Sequence, residues 1–570
     1  MYQWGKTMEK YSILYPAGEY TYRTLDPVTM HDLGMDQICK KLSAKEAEQN
    51  LFFNILSSMS DDPAVTQYRL DAFEDILKHP KMRDDLMQVL GRISFLHDYG
   101  RFQRDYDEKA SVWELLHRLE ELKDYIDCVD ALFGCLSEAN VKSEALTGLY
   151  SYVEKIYKDN GFAELKKDIT ALKASTSNLK SVTVGINLNE RWEAESIGLI
   201  SVNAKQFTKS GALKNFYEKL MSSANVHENT EWNEDYKYQP FGVDDTLSDT
   251  KVMRVAALAN PMLMAMASVA EKDDVRDVTK YMDNIVGRML SGMVKKIRET
   301  LNKYVTITIT DLTDLMPEFA FYIAWAEFIG KLQSQGYTFC KPAVNKEGGL
   351  DRVMQARGLY NLKLAALAEV KVSDIVVNDL DFDEDHRLYI LTGANRGGKT
   401  TITQAVGQLF LMAQSGIYVP ASEFIFDPVD MMYTHFPADE DKTMDLGRLG
   451  EECKRFREMF EGADKNSLLL LNETFSTTSF EEGYYIARDA VKAILHKGIR
   501  TIYNTHMHKL AFDIEEINAG DTDGKASSLT VMSEEGKRSY KVEVRAPGGK
   551  SYAEDIARKY GVTFDMLIKS

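Results

Sequence analysis

The 570-residue chain is expected to be multidomain, an α-helical assembly with a small β-containing insertion followed by a C-terminal α/β phosphate-loop domain of the ABC type. Three observations predict this. From residue 28 to about 165, apolar side chains recur at three- and four-residue spacing with few glycines, as in VWELLHRLEELKDYIDCVDALFGCL. Residues 181–203, SVTVGINLNERWEAESIGLISVN, change to alternation on either side of a turn at NLNE. Beyond residue 350, apolar runs of buried-strand length alternate with helical stretches, and one of them leads into LTGANRGGKTTITQAVGQLFL.

Taken in order, residues 1–27 read as an N-terminal extension, because MYQWGKTMEKYSILYPAGEY has no apolar core of signal-peptide type. Residues 28–350 read as the helical domain, interrupted at about 170–240 by the β insertion. Helical periodicity returns from about 207 to 335, with TEWNEDYKYQPFGVDD (230–245) as a loop. The run VAALANPMLMAMASVA from Val255 is too short to span a bilayer and carries Asn260 and Pro261, so it reads as a buried helix. Residues 351–570 form the α/β domain. Its strands are RLYILT (387–392), SLLLLNE (467–473) and RTIYNTH (500–506), and a hairpin of SLTVMS and YKVEVR around EEGK closes it.

The composition, 44% hydrophobic and 27% charged, is that of a globular protein rather than a disordered one. A net charge of −18 excludes a surface that is basic everywhere, so a polyanion must be met by a local patch. Residues 165–220 supply one, with eight lysines and one arginine against five acids. Five cysteines without a Cys-x-x-Cys pair exclude a zinc ribbon and a disulfide framework and fit a reducing compartment. A soluble cytoplasmic protein without membrane association is expected.

Gly393-x-x-x-x-Gly398-Lys399-Thr400 lies between a strand and a helix, where backbone N–H groups can turn toward phosphate oxygens. Lys399 would supply a point charge to the β- and γ-phosphates and Thr400 a hydroxyl to Mg2+. The next apolar strand ends in Asn472 and Glu473. Asn472 stands where an aspartate is usual, and its amide oxygen, without charge, would hold Mg2+ less firmly. Glu473 can orient or deprotonate water, or the two residues can simply cap a buried strand. His506, at the end of the third strand, is placed to sense the γ-phosphate. His506-x-His508 raises the possibility of zinc, but no third ligand is evident.

These residues resemble those of the MutS DNA mismatch-repair ATPases. LTGANRGGKTTITQAVGQLFLMAQSGIYVPA is similar to the family's loop and helix ending in G-x-x-V-P-A, here Gly416, Val419, Pro420 and Ala421. SLLLLNETFSTTSFEEG keeps Glu473, Thr478, Ser479 and Gly483 of the following segment, and NTHMHKL resembles its A-T-H-x-H-E-L. VVNDL, with Asn378, resembles the step before the first strand, and GGKSYAEDIARKYGV a C-terminal helix. Weaker similarity covers DDPAVTQYRLDAFEDIL (61–77), with its Tyr-Arg pair, and residues 319–344.

The resemblance implies ATP and Mg2+ as cofactors. The ATP-binding set would be Gly393, Ala394, Asn395, Gly397, Gly398, Lys399, Thr400, Thr401 and Asn378. Glu473 and His506 would be catalytic, and Thr400 and Asn472 would face the metal. It also implies a core and lever domain at 28–350, a reduced clamp at 170–205 touching double-stranded or branched DNA, and a homodimer whose ATPase domains share composite sites.

Departures from the family pattern accompany these matches. Asn472 replaces the aspartate and points to slow hydrolysis. In MDLGRLGEECKRF, Gly447 and Arg448 stand where the family has a serine that approaches the partner's γ-phosphate, while Glu452 matches. Arg448 could supply the trans charge instead. Leu446, Leu449, Cys453, Phe456 and Phe460 fall on one face of that helix. From the sequence, no mismatch-reading domain is expected before residue 28, and no trailing dimerisation segment or nuclease domain after Ser570. Three functions stay open from sequence: an ATPase that clamps DNA, an ATP-gated protein- or ribosome-binding module, and a switch that binds ATP without useful turnover.

Overall fold

A computed structural model describes residues 11–99, 112–176, 181–188, 190–191, 194–203, 291–304, 315–345, 352–366, 371–393, 397–437, 447–534, 537–546 and 560–568. The chain divides into two compact units: Met1–Met8, Gly91–Phe133 and Val153–Thr313 in one, and Glu9–Leu90, Gly134–Tyr152 and Asp314–Ser570 in the other. Helices Pro80–Tyr99, Val112–Ala139 and Glu144–Tyr157 contribute residues to both. The contacts therefore do not divide at 27/28 or at 350/351, the boundaries read from sequence. Most of the first ninety residues fold with the phosphate-loop domain.

The first unit is helical. Leu115, Leu119, Leu122, Ile126, Val129 and Leu132 recur at three- and four-residue spacing and are buried. Helix Asn160–Thr176 buries Phe162, Leu165, Ile169 and Leu172 and packs against helix Ser291–Asn302, which buries Val294, Ile297 and Leu301. Ion pairs Lys166–Asp130, Lys173–Glu120 and Lys303–Asp168 (3.1 Å) line the helix faces. Such half-exposed pairs set register more than they add stability. The β insertion is a hairpin, Ser181–Leu188 against Ala194–Asn203, antiparallel with two register shifts. Most of the segment read as helical between 207 and 335 lies outside the described residues, including the loop at 230–245 and the run from Val255. Helices Ser291–Asn302 and Met316–Ser334 are its described part.

The second unit is built on a six-stranded sheet. Its elements in chain order are β1 (Leu388–Thr392), α1 (Lys399–Gln414), β2 (Met432–His435), α2 (Gly447–Gly462), β3 (Leu468–Asn472), α3 (Phe480–His496), β4 (Arg500–Asn504), β5 (Ala526–Glu534) and β6 (Lys537–Val544). The spatial order is β2-β3-β4-β1-β5-β6, parallel except for β6. Every residue of β1, β3 and β4 is buried, as continuous apolar runs require when helices cover both faces. Alternation sorts β3: Leu470 meets α1, while Leu469 and Leu471 join a core with Ala487, Val491 and Ile494 of α3. The expected closing hairpin is present, but β5 also pairs in parallel with β1, so the hairpin extends the main sheet.

A second sheet, not anticipated from sequence, has the order Ala343–Val344, Glu423–Phe426, Met354–Leu359, Asn378–Phe382. Helix Met316–Ser334 buries Phe319, Phe321, Tyr322, Trp325 and Ile329 almost all round and packs on helix Pro63–Lys78. The latter starts with Pro63 behind an Asp62 cap that accepts from the Ala64 N–H at 2.8 Å.

The Tyr68-Arg69 pair explains how this helix meets the α/β core. Arg69 is 2% exposed and donates to the carbonyls of Leu14 (2.8 Å), Ser58 (3.2 Å) and Gln414 (2.8 Å). Its guanidinium lies over the rings of Tyr15 and Tyr22. Gln414 is the last residue of α1, so the cation sits at the negative end of that helix. Close approach there needs Gly416, at φ +82°, where a Cβ would lie 2.4 Å from the Arg69 Cβ.

Among the described residues no helix is long and apolar enough to cross a membrane. The five cysteines are free thiols.

Arg69→Met should lower unfolding free energy by about 3 kcal/mol or more, because three buried carbonyls lose their donor. Arg69→Lys should recover only part of this, since an ammonium cannot span the three acceptors. Urea midpoints at constant slope test both.

Candidate functional site

The site begins where β1 runs into α1. Gly393 has φ +139° and Gly398 φ +95°, conformations that strain any residue with a side chain. A Cβ on Gly393 would also lie 2.9 Å from the Val531 Cβ of β5. Ala394 and Asn395, expected to contact nucleotide, lie outside the described residues. The turn directs the first N–H groups of the sixteen-residue α1 into a cavity of about 950 Å3.

Gly397, Gly398, Lys399, Thr400, Thr401, Asn378, Glu473 and His506 all line that cavity, so the structure gathers residues drawn from four separate sequence segments. Lys399 is 6% exposed and its ammonium donates to the Gly393 carbonyl at 3.0 Å. Burial pushes its pKa down, and the Glu473 carboxylate opposes that shift. An ammonium so desolvated gains from an anionic partner. Thr401 lines the wall, and its carbonyl accepts from Asn361 Nδ2 at 3.0 Å.

Glu473 follows β3 with φ +55°, and Phe475 has φ +65°, two left-handed non-glycine residues within three positions. Three contacts hold this elbow: the Glu473 N–H donates to Asn504 O (2.9 Å), the Tyr503 hydroxyl to Thr474 O (2.7 Å), and Thr474 Oγ1 bonds His435 Nδ1 (3.1 Å). The conformation turns the carboxylate onto His506. Glu473 Oε1 lies 2.9 Å from His506 Nε2, and Oε2 accepts the His506 backbone N–H at 3.3 Å. His506 is half-exposed and Glu473 mostly covered. The bonded pair lines the cavity beyond the end of the loop.

The metal side differs from expectation. Thr400 and Asn472 do come together, but the Thr400 hydroxyl donates to Asn472 Oδ1 (3.2 Å), and Asn504 Nδ2 donates to the same oxygen. The oxygen meant for a magnesium-bound water is thus already used twice. No carboxylate joins the set, and both Glu473 oxygens are engaged by His506. Among the described residues no group of three His, Cys, Asp or Glu side chains could hold a metal ion. Three neutral groups bonded to one another offer a hard dication no anionic oxygen of their own.

Asn378 also has partners within the fold. It lines the cavity, yet its Nδ2 donates to Tyr540 O (3.2 Å) and its Oδ1 accepts the Val542 N–H (2.9 Å), so its amide ties the second sheet to β6. Glu452 is not among the described residues that line the cavity, and Gly447 and Arg448 are described in backbone only. They lie on α2, where the Glu452 carboxylate accepts from Thr477 Oγ1 at 2.8 Å and burial raises its pKa. Leu449, Cys453, Phe456 and Phe460 pack on the core as their spacing indicated, while Leu446 lies outside the described residues. His508 stands behind His506 with its pKa lowered, chiefly by burial.

Sequence reasoning missed Tyr540, Asn504 and the wall formed by Leu364, Ile375 and Val376. Tyr540 has φ +56° and its ring stands 3.4 Å from where a Gly398 Cβ would be. Nothing in YKVEVR marks it. Asn504 left one usable sign, an amide closing the otherwise strand-forming run RTIYN.

Comparison with known proteins bears on the same residues. The family model for MutS domain V matches residues 389–567, and that for the MutS2 N-terminal domain matches residues 61–335. Endonuclease MutS2 of Thermus thermophilus is 27% identical over 244 residues, covering 39% of this chain and 32% of its own. DNA mismatch repair protein MutS of Chlorobium phaeobacteroides is 29% identical over 241 residues, 42% of this chain and 26% of its own. DNA mismatch repair protein MutS of Staphylococcus saprophyticus is 22% identical over 455 residues, 78% of this chain and 47% of its own. The chain thus spans from about a quarter to about half the length of these relatives.

His435, 3% exposed behind the Glu473 elbow, has its imidazole pKa pushed down to about 4, chiefly by burial and further by the Arg455 guanidinium. Above the ordinary imidazole pKa of about 6.5 both folded and unfolded chains hold it neutral. Between about 6.5 and 4 the unfolded chain takes up a proton that the folded chain refuses. Stability should therefore fall as pH drops through that window, by about 3 kcal/mol in total from this group. Denaturation at stepped pH should show a shallower loss for His435→Gln.

Proposed function

The chain is a member of the MutS family, and from that premise we propose that it is an ATPase whose nucleotide state drives a helical clamp on DNA. The observation that carries the reading is the convergence of Lys399, Glu473 and His506 on one cavity at the N-terminus of α1. ATP places its phosphates against the amides of Gly397–Thr400, and Lys399 moves from the Gly393 carbonyl to the β- and γ-phosphate oxygens. The apolar wall of Leu364, Ile375, Val376 and Tyr540 receives the base.

Glu473 orients a water in line with the γ-phosphorus and accepts its proton as the new P–O bond forms and the bond to ADP breaks. His506, bonded to Glu473 through Nε2, holds the carboxylate in place and registers departure of phosphate. A second copy completes the site through its ATPase face, with Gly447 and Arg448 at the start of α2 contributing in trans. Helices Pro80–Tyr99, Val112–Ala139 and Glu144–Tyr157, which supply residues to both units, act as levers. The hairpin at 181–203 is the clamp, and the local surplus of positive charge over 165–220 supports a duplex or branched DNA partner. Readout would be of DNA shape rather than sequence. The net charge of −18 favours a second reading, an ATP-gated module that binds protein or ribosome.

Lys399→Ala should weaken ATP binding by about a hundredfold or more, while Glu473→Gln should keep binding and lower turnover by about a hundredfold. Retained turnover in Glu473→Gln would remove the base assignment. Arg448→Ala should slow turnover without changing ATP affinity in the monomer. Duplex binding with ATP should fall by about tenfold for each doubling of salt if about four phosphates are neutralised. A flat salt profile, or no binding, would favour the protein partner.

A further inference from the structure

Asn472 closes β3 and Asn504 closes β4, and the parallel register sets them side by side. Asn504 Nδ2 donates to Asn472 Oδ1 and lies 3.4 Å from Thr400 Oγ1, while Thr400 donates to the same Asn472 oxygen at 3.2 Å. Asn504 is 1% exposed, and its own Oδ1 is buried without a hydrogen-bond partner. A buried amide with one half unsatisfied costs about 1–3 kcal/mol relative to a paired one, so its other half is expected to serve a purpose.

We infer that this amide pair closes the metal side of the phosphate loop in place of a chelated ion, so that the chain holds ATP with little dependence on magnesium. The inference rests on the nucleotide-binding reading above. Its physical basis is charge. A carboxylate at position 472 would repel a triphosphate unless a dication stood between them, which makes binding metal-dependent. An amide neither repels the triphosphate nor attracts the dication. Lys399 and the N-terminus of α1 then meet the phosphate charge. Asn504 is the positioning residue: it can donate to Asn472 where a carboxylate could not, and it turns the Asn472 oxygen away from solvent ions. Asn472 gives this arrangement its neutrality and Asn504 gives it its orientation.

The test is equilibrium binding of ATP to the full-length chain in excess Mg2+ and in EDTA. Wild type should differ by less than about threefold between the two media, within the range a single weak contact would produce. Asn472→Asp should bind about tenfold or more weakly in EDTA and recover in Mg2+, because the new carboxylate needs the ion. Asn504→Ala should lose affinity severalfold in EDTA and keep it in Mg2+, since the freed Asn472 oxygen can then accept from a metal-bound water. A merely structural role for Asn504 would lower both affinities together. Wild-type binding about tenfold or more weaker in EDTA overturns the inference and leaves nucleotide binding standing. Absence of ATP binding in both media, with an unchanged melting temperature for Lys399→Ala, overturns the nucleotide reading and this inference with it.

Discussion

The fold of the second unit depends on how α1 is held. This sixteen-residue helix starts at the phosphate loop and is buried along nearly its whole length, which a helix carrying Gln404, Gln408 and Gln414 tolerates only if each amide finds partners. They do. Gln404 donates to Asp32 O (2.7 Å), Gln408 donates to Leu33 O (2.8 Å) and accepts the Leu362 N–H (2.9 Å), and Gln414 donates to Ser60 O and Val429 O (2.8 Å each). Gly407 permits the close seat, for a Cβ there would lie 2.4 Å from Leu33 Cδ2 and 2.7 Å from Leu470 Cδ1. Arg69 secures the far end through the Gln414 carbonyl. The N-terminal helices are thus joined by directional hydrogen bonds to the helix whose other end lines the cavity.

Among the described residues, Lys399, Asp374, the Glu473–His506 pair and neutral amides surround the loop. Asp32 takes part in a similar junction further along the sheet. Its carboxylate, with pKa raised chiefly by burial, accepts from Thr434 at 2.6 Å and lies 3.9 Å from Arg455 of α2. The N-terminal helix Pro27–Asp32 therefore touches both α1, through Gln404, and the helix that bears Gly447 and Arg448. The strained Glu473 elbow is held by neutral hydrogen bonds with Asn504, Tyr503 and His435.

Much of this was legible in the chain. Continuous apolar runs of strand length announced β1, β3 and β4, and glycines at 393 and 398 followed by Lys399 announced the turn into α1. Alternation around NLNE announced the hairpin at 181–203. Those are local signals, set by periodicity and by the few residues that tolerate a left-handed backbone. The second sheet was not legible because its strands are short, come from distant segments and lack an apolar run. The junction of residues 11–90 with α1 was not legible because Arg69, Gln414 and Gly416 are each ordinary in their own segments, and only their meeting joins the segments.

The sequence by itself pointed to the family and the glycine-rich loop and singled out Lys399, Glu473 and His506 as candidates, since each signal lies within a short window. Only the tertiary structure decided what the neighbouring polar groups do. Asn378 spends its amide on the backbone of Tyr540 and Val542, and the Asn472 oxygen is taken by Thr400 and Asn504. Hydrogen bonding is a matter of register between strands more than thirty residues apart in sequence, and a donor's partner is set by which strand lies beside it.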